Sequence, residues 1–410
     1  MRRPVISGLG AVTPIGNTAE ESWRNLCQGL SGIGPITGFD ACGLRTRVAG
    51  QSKAFQPGTF MDPRVARRVD RFVQLGFAAA RMAVSHAGLR LASSKAHRIG
   101  VVMGNCFGGV LQLEQAFENV AAGAATRLSP FFIPGMLASM AAGLIAIELG
   151  AKGPNITVSE ACASGAVAIG IGAEWVRRGV VDTVIAGGCE AGLSKLIYCG
   201  YHSLKATTAR NHEPERASRP FDRDRDGFVP AEGAGVVVLE PLEAVLRRDA
   251  EPLAEVAGYA TTCDAFHLTR PEPSTESQER CMHGALGDAG VLPDEVDCIN
   301  AHGTSTLAND AAETQAIRRV FGPRAEKVPV TANKSMIGHT IGAAGAIESI
   351  FSVLSLRDGI IPPTINYEHP DPECDLDYVP NVARPAGLRA VLSNSFGFGG
   401  INACLVFRKL

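Results

Sequence analysis

At 410 residues with 46% hydrophobic content, the chain can bury more than one domain-sized core, and its net charge of −2 excludes a globally basic nucleic-acid binder. Eleven cysteines form an odd set without C-x-x-C pairs or Cys/His ligand spacing. That argues against a disulfide framework and against a zinc site, and points to a reduced, cytoplasmic protein.

The opening Val5-Ile6-Ser7-Gly8-Leu9-Gly10 is too short and too broken by glycine for a signal-peptide core, and reads as a first strand and turn. Ile99 to Met103 is a second strand. The uncharged stretch from Pro130 to Ile147 is interrupted by Pro130, Pro134, Ser139 and Gly143, which predicts a buried helix over 134–147 rather than a membrane span. Asn155-Ile156-Thr157-Val158 reads as a strand, and Ala166, Ile169, Gly170, Ala173 and Val176 then recur at helical spacing up to the Arg177-Arg178-Gly179 stop. Cys162 therefore sits at a strand-to-helix junction, in a first helical turn. Unpaired N–H groups and the helix dipole there favour a thiolate and can hold a developing oxyanion.

Asp182 to Gly188 is a further strand, and the charge-dense segment from Arg210 to Gly227 reads as a surface loop. Gly235 to Pro241 closes a first half and Leu253 to Tyr259 opens a second. The second half echoes the first: Val328 to Asn333 is a strand leading through Lys334 and His339 into an Ala/Gly-rich helix over 340–356, with an Arg357-Asp358-Gly359 stop. The alternation is an α/β signature. Three turn-rich segments at strand ends carry chemistry-bearing residues: Asn300-Ala301-His302-Gly303-Thr304-Ser305-Thr306, Asn333-Lys334-Ser335-Met336-Ile337-Gly338-His339, and the glycine-rich Asn394 to Asn402.

These segments, together with Gly8 to Gly16, Ser129 to Pro134, Ser218-Arg219-Pro220-Phe221-Asp222, Arg225-Asp226-Gly227-Phe228 and Pro362 to Asn366, lie in collinear order over essentially the whole chain. In them the sequence resembles the elongating (synthase I/II type) β-ketoacyl-acyl carrier protein synthases, including the ketosynthases of type II polyketide systems. The resemblance implies a thiolase-type α/β fold: two pseudo-repeated halves, 1–250 carrying the cysteine and 251–410 carrying the histidines, in a five-layered αβαβα arrangement. It implies Cys162 as acyl acceptor, His302 and His339 as the two histidines, Lys334 paired with Glu348, and Phe398 as the gate of the acyl pocket. The N–H groups of Cys162 and Phe398 would form the oxyanion hole. Phe107 and Phe396 fall at substrate-pocket positions, Phe107 at the pocket floor, and Thr304 and Thr306 at positions contacting phosphopantetheine.

The implied partners are an acidic acyl carrier protein, docked by Arg64, Arg67, Arg68 and Lys205, and a second subunit, either another copy or a chain-length-factor homologue. No metal or cofactor of its own is implied, the substrates being carried on phosphopantetheine, and no membrane insertion. A degradative thiolase would place a second cysteine where Phe396 and Phe398 stand, an initiating synthase would replace one histidine by asparagine, and a non-catalytic chain-length partner would lack Cys162. Two positions depart from the family pattern. Glu160 stands where relatives commonly carry Thr or Ser; facing the thiol, its carboxylate would raise the cysteine pKa, so it is expected to turn away or to pair at the subunit contact. Asn333 replaces a usual threonine.

Overall fold

The computed structural model describes residues 1–89, 93–124, 126 and 128–410. Its frame is a ten-stranded mixed sheet. In chain order the strands are β1 (Pro4–Val12), β2 (Ile99–Gly104), β3 (Asn155–Val158), β4 (Thr183–Glu190), β5 (Gly233–Pro241), β6 (Ala254–Cys263), β7 (Cys298–Asn300), β8 (Val330–Thr331), β9 (Ala390–Gly397) and β10 (Ile401–Arg408). They lie in the order β8-β7-β9-β10-β6-β1-β5-β4-β2-β3. From β1 outward the pairings run antiparallel, antiparallel, parallel, parallel, and from β6 outward they run the same way. The two series meet only where Val5 pairs with Glu255 and Ile6 with Ala254. One strand topology is therefore used twice.

Long helices complete the layers: α1 (Arg71–His86), α2 (Val110–Ala121), α3 (Met140–Leu149), α4 (Ser164–Arg177), α5 (Lys195–Leu204), α6 (Glu276–Ala289), α7 (Leu307–Phe321) and α8 (Ala344–Asp358). Helix α1 covers the outer face of the first series of strands and α6 that of the second, while α4 and α8 pack together between the two. Composition explains the placement. Strand β5 is buried along its whole length, as a run of Val and Leu covered on both faces must be. Helix α8 is buried from Ala344 through Leu356, its few polar side chains included, as a helix in the middle of a protein must be. Small residues let the two central helices touch backbone to backbone: a Cβ on Gly165 would lie 2.7 Å from the Ala346 nitrogen, and one on Gly345 2.8 Å from the Ala166 nitrogen.

Two expectations are corrected. The helix expected over 134–147 is broken into Phe132–Met136 and α3 by Leu137, whose extended backbone interrupts the helical run, while Pro134 sits in the first turn, where its missing N–H needs no partner. Ile133 and Ile147 are exposed. Among the described residues no helix is long and apolar enough to cross a membrane. The charge-dense segment 210–227 is a solvated loop only in part: Glu215, Arg216, Arg223 and Asp224 are exposed, but Arg219, Asp222 and Arg225 are buried. Arg219 pairs with Asp222 at 3.0 Å, Arg225 pairs with Asp310 and Asp371, and Phe221 stacks on Tyr378 with ring centroids 4.0 Å apart. Buried charge is tolerated there because each ion meets a counter-ion.

Candidate active site

Strand β3 ends at Val158, and the chain then turns sharply through Ala161 at φ +46° into a 3₁₀ turn, Ala161–Ala163, that leads directly into α4. The Ser164 hydroxyl clamps this turn, donating to the Ala161 carbonyl at 2.7 Å and accepting from the Glu160 N–H at 2.8 Å. Cys162 thus stands immediately before the helix rather than within its first turn. The left-handed residue breaks the strand alternation between Glu160 and the thiol. Glu160 acts on the Tyr259 phenol, whereas the charged groups acting on Cys162 are Lys334 and Glu348.

His339 follows the short helical turn Lys334–Ile337, and its Nε2 lies 3.0 Å from the Cys162 sulfur. Its Nδ1 accepts the Ile341 N–H at 3.3 Å. His302 lies in the turn after β7, with Nδ1 3.4 Å from the Lys334 ammonium, which also donates to the His302 carbonyl at 2.6 Å and to the Glu348 carboxylate. Each Nδ1 faces a donor, so each ring carries its proton on Nε2. Burial, reinforced by the Lys334 charge, holds both histidines well below the ordinary imidazole range, so both are neutral at pH 7. The result is two neutral rings 5.4 Å apart, each an Nε2–H donor.

Cys162, His302 and His339 have the side chains of a metal centre and cluster within 4.8 Å. A metal would need the Nε2 lone pairs, however, and the Ile341 N–H and the Lys334 ammonium hold the proton on Nε2 in both rings; the set is built to donate hydrogen bonds. The cysteine departs from expectation in one respect. Burial pushes its thiol up to about 11, against the pull of Lys334 and of two backbone N–H groups, those of Phe398 and of Cys162 itself. A helix start alone does not make this thiol acidic, because the sulfur is buried. The same two N–H groups face the sulfur, beside which the carbonyl oxygen of a bound acyl group would lie. Gly397 permits the approach: a Cβ there would lie 3.2 Å from the Cys162 nitrogen.

The thiol and both rings open onto a cavity of about 530 Å³. Its walls include Phe107, Phe396, Phe398, Thr304 and Thr306, and Lys205 stands exposed among its lining residues. Phe107 lies against Gly192, where a Cβ would meet the ring at 2.6 Å, and the Thr304 and Thr306 hydroxyls are 2.8 Å apart. Lys334 and Glu348 are buried behind the histidines. Arg64, Arg67 and Arg68 are exposed on and just after the short helix Pro63–Ala66, outside the cavity lining, with the Arg68 guanidinium 4.5 Å over the Phe131 ring. Asn333 donates to Asn300 at 2.6 Å, and Asn300 donates to the Glu348 carbonyl at 2.9 Å.

Three buried acids that sequence reasoning passed over hold this arrangement in place. Glu313 accepts the N–H groups of His302 and Gly303, at 2.8 and 2.9 Å, and the Asn394 amide at 3.1 Å. Asp310, one helical turn earlier on α7, accepts from Thr304 at 3.0 Å. Two acids three apart on a helix that begins just after the histidine turn were the available signal. Glu190 accepts from the N–H groups of Cys106 at 2.9 Å, Phe107 at 3.4 Å and Gly342 at 3.3 Å. Its signal was a carboxylate ending an apolar strand.

Strand topology and site together define a thiolase-type protein with a Cys-His-His centre. Residues 1–244 match the β-ketoacyl synthase N-terminal domain and residues 253–368 the β-ketoacyl synthase C-terminal domain. The 3-oxoacyl-[acyl-carrier-protein] synthase 2 of Synechocystis is 47% identical, covering 100% of this chain and 98% of the relative, and that of Coxiella burnetii is 45% identical, covering 100% and 99%. The solved ishigamide ketosynthase/chain length factor superposes with a TM-score of 0.93 at 38% identity, over 100% of this chain and 99% of the other. AntDE:AntF, a type II PKS acyl-carrier protein in complex with its ketosynthase bound to the hexaketide, gives 0.93 at 34% over 100% of both chains. The chain belongs to the β-ketoacyl synthase family.

Proposed function

We propose that this protein is a β-ketoacyl-acyl carrier protein synthase, joining a Cys162-bound acyl chain to malonyl-acyl carrier protein by decarboxylative Claisen condensation in fatty acid or type II polyketide biosynthesis. The observation that carries this reading is the pairing of one buried thiol with two neutral Nε2–H donors in a single apolar cavity. In the first half-reaction the acyl group passes from the carrier's thioester sulfur to Cys162, and the thiol proton ends on the departing carrier thiol. The carbonyl oxygen gathers charge between the N–H groups of Cys162 and Phe398, while His339 donates to the sulfur. In the second, malonyl thioester loses carbon dioxide. The enolate oxygen that develops is held by the Nε2–H groups of His302 and His339. The enolate carbon attacks the acyl carbonyl, Cys162 leaves as thiolate, and the 3-oxoacyl chain departs on the carrier.

Lys334, paired with Glu348, acts as a positioning group that keeps the His302 proton on Nε2. Thr304 and Thr306 suit the amides of a phosphopantetheine arm, Phe396 and Phe398 guard the pocket, and Phe107 bounds its depth. Arg64, Arg67, Arg68 and Lys205 supply positive charge for an acidic carrier protein. The two halves divide near residue 250, and eleven free thiols agree with a cytoplasmic location. A second subunit, a further copy or a chain-length factor, fits the partly exposed outermost strand β3 and the exposed apolar Leu113, Phe117, Ile133 and Leu137. Similarity to the ishigamide ketosynthase/chain length factor supports a chain-length-factor homologue as the alternative second subunit.

The test is intact-mass measurement after mixing the purified protein with an acyl thioester, alongside carbon dioxide release from malonyl carrier protein. A single acyl adduct is expected on the wild type and none on Cys162→Ala, which keeps its circular dichroism. Wild-type condensation by Cys162→Ala would remove the assignment.

A further inference from the structure

A wall of aromatic rings runs along the cavity. The Phe228 ring lies 5.5 Å from that of His339, Tyr201 meets Phe228 edge-on at 5.3 Å and 90°, and Phe107 lies 6.5 Å from Tyr201. Phe107, Tyr201 and Phe228 line the same cavity as the Cys162 sulfur, which offers them as a wall for a chain held on that sulfur as a thioester. Two of the three are phenylalanines, and the ring contacts of the third would be met equally well by phenylalanine.

The hydroxyl of Tyr201 is therefore the anomaly. The residue is 8% exposed, and its buried hydroxyl oxygen makes no hydrogen bond among the described residues. Other buried tyrosines are treated differently. One turn earlier on α5, the Tyr198 hydroxyl donates to the Val48 carbonyl at 3.0 Å, and the Tyr378 hydroxyl pairs with Thr314 at 2.8 Å. Leaving a buried hydroxyl unpaired is unfavourable, and proteins rarely do so without a use for the group. Burial, with the negative charge of Glu190 and the nearby thiols Cys162 and Cys106 acting in the same direction, keeps the phenol protonated, so the group is a donor.

We propose that Tyr201 is a specificity-determining residue that donates its hydroxyl hydrogen bond to an oxygen on the acyl chain held by Cys162, selecting carbonyl- or hydroxyl-bearing chains over saturated ones. This rests on the ketosynthase reading and narrows it to a substrate class. Condensation itself leaves a carbonyl on the new chain, and when that carbonyl is not removed before the next round, oxygens recur on alternate carbons. A saturated chain leaves the hydroxyl unpaired; an oxygenated one satisfies it, which is the asymmetry that gives polar sites their discrimination.

The experiment compares the rate of Cys162 acylation, by intact mass, for matched N-acetylcysteamine thioesters: butyryl against acetoacetyl, and hexanoyl against 5-oxohexanoyl. In each transfer the acyl group moves from the thioester sulfur to Cys162 and a proton moves to the leaving thiol. Wild type is expected to load at least one oxygenated member roughly fivefold or more faster than its alkyl twin, the worth of about one net hydrogen bond. Tyr201→Phe is expected to lose that preference while loading the alkyl chains at least as fast. Equal ratios in both proteins, or no preference in wild type, overturn the proposal. Thermal melting gives a second reading: Tyr201→Phe keeps the rings and removes an unpaired hydroxyl, so it should melt at the same temperature or higher. A clear fall would mean that the hydroxyl is already paired in the free protein, and would also overturn it. Acylation with unchanged ratios removes the role of Tyr201 alone, whereas no acylation of wild type by any thioester removes the ketosynthase reading beneath it.

Discussion

The turn that presents Cys162 has a counterpart in the second half of the chain. Ala161–Ala163 precedes α4, and Ile341–Ala343 precedes α8; each is a 3₁₀ turn entered through a non-glycine residue in the left-handed region, Ala161 at φ +46° and Ile341 at φ +47°. The backbone device is the same, but the contents differ. Where the first turn carries Cys162, facing a cavity, the second carries Gly342, where a Cβ would stand 2.8 Å from the Glu190 carboxylate and 2.9 Å from the Cys106 nitrogen. The first turn presents a side chain. The second presents backbone: the Ile341 N–H fixes the His339 tautomer, and the Gly342 N–H binds Glu190. On the proposed function, one frame used twice is divided into a nucleophile side and a donor side, which meet where His339 approaches Cys162.

The sharpest way to break this division is to remove the donors. Replacing either His302 or His339 by alanine should slow malonyl decarboxylation by about 100-fold or more, the usual cost of one oxyanion donor. Acyl transfer should respond unequally. His302→Ala should leave Cys162 loading nearly intact, and His339→Ala, which also loses the contact to the sulfur, should slow both steps. Stopped assays of the two half-reactions check this, and identical losses in both steps for both variants would refute the division.

The nucleophile side is tested by pH. With the Cys162 thiol pushed up to about 11 by burial, the thiolate fraction grows with pH across the whole neutral range. Alkylation of Cys162 by iodoacetamide, followed by peptide mapping, should accelerate roughly tenfold per pH unit between about pH 7 and 9 without a plateau, as a thiol far below its pKa requires. Lys334 lowers this pKa, so Lys334→Met should slow alkylation at every pH in that window. A plateau near pH 7 would show instead that the helix start prevails over burial.

Much of this division was legible in the sequence, because its carriers are local. The strand before Cys162, the small-residue helix after it, and the turns holding His302 and His339 are each read within about a dozen residues, and the echo between the halves is visible in the matching helix stops. What was not legible depends on partners far along the chain. Arg219 and Arg225 read as solvated charges because Glu368, Asp310 and Asp371, which pair with them, lie far away in sequence. Glu190 and Glu313 act on backbone N–H groups, which leave no mark in residue identity. The thiol's raised pKa follows from burial, a property of packing rather than of the helix start.

On the donor side, Gly342→Ala should destabilise the fold by about 1–3 kcal/mol, the usual range for overpacking, since the methyl meets backbone as well as the Glu190 carboxylate. It should also displace the N–H groups of Cys106 and Phe107 from Glu190, and so disturb the acyl pocket more than malonyl decarboxylation. Thermal melting and the two half-reaction assays separate these effects. An unchanged melting temperature would mean that the turn has slack the close contacts deny.

The smallest effect is expected at Ala161. A non-glycine residue in the left-handed region is strained by roughly 1–2 kcal/mol, and Ala161→Gly relieves that strain. Glycine also loses more backbone freedom on folding, by roughly 0.5–1 kcal/mol, so the two terms nearly cancel and stability should change by less than about 1 kcal/mol. The catalytic consequence has a definite sign. The Ala161 methyl limits the turn to one conformation, and the thiol must stay aligned with the N–H groups of Cys162 and Phe398, so the glycine variant should load acyl groups a few-fold more slowly at unchanged stability. Ile341→Gly relieves the same strain but removes a buried side chain, so it should lose stability where Ala161→Gly does not. Equal stability losses in the two variants would show that the left-handed residues do the same job in both halves, and the division into nucleophile and donor sides would then lie in the side chains alone.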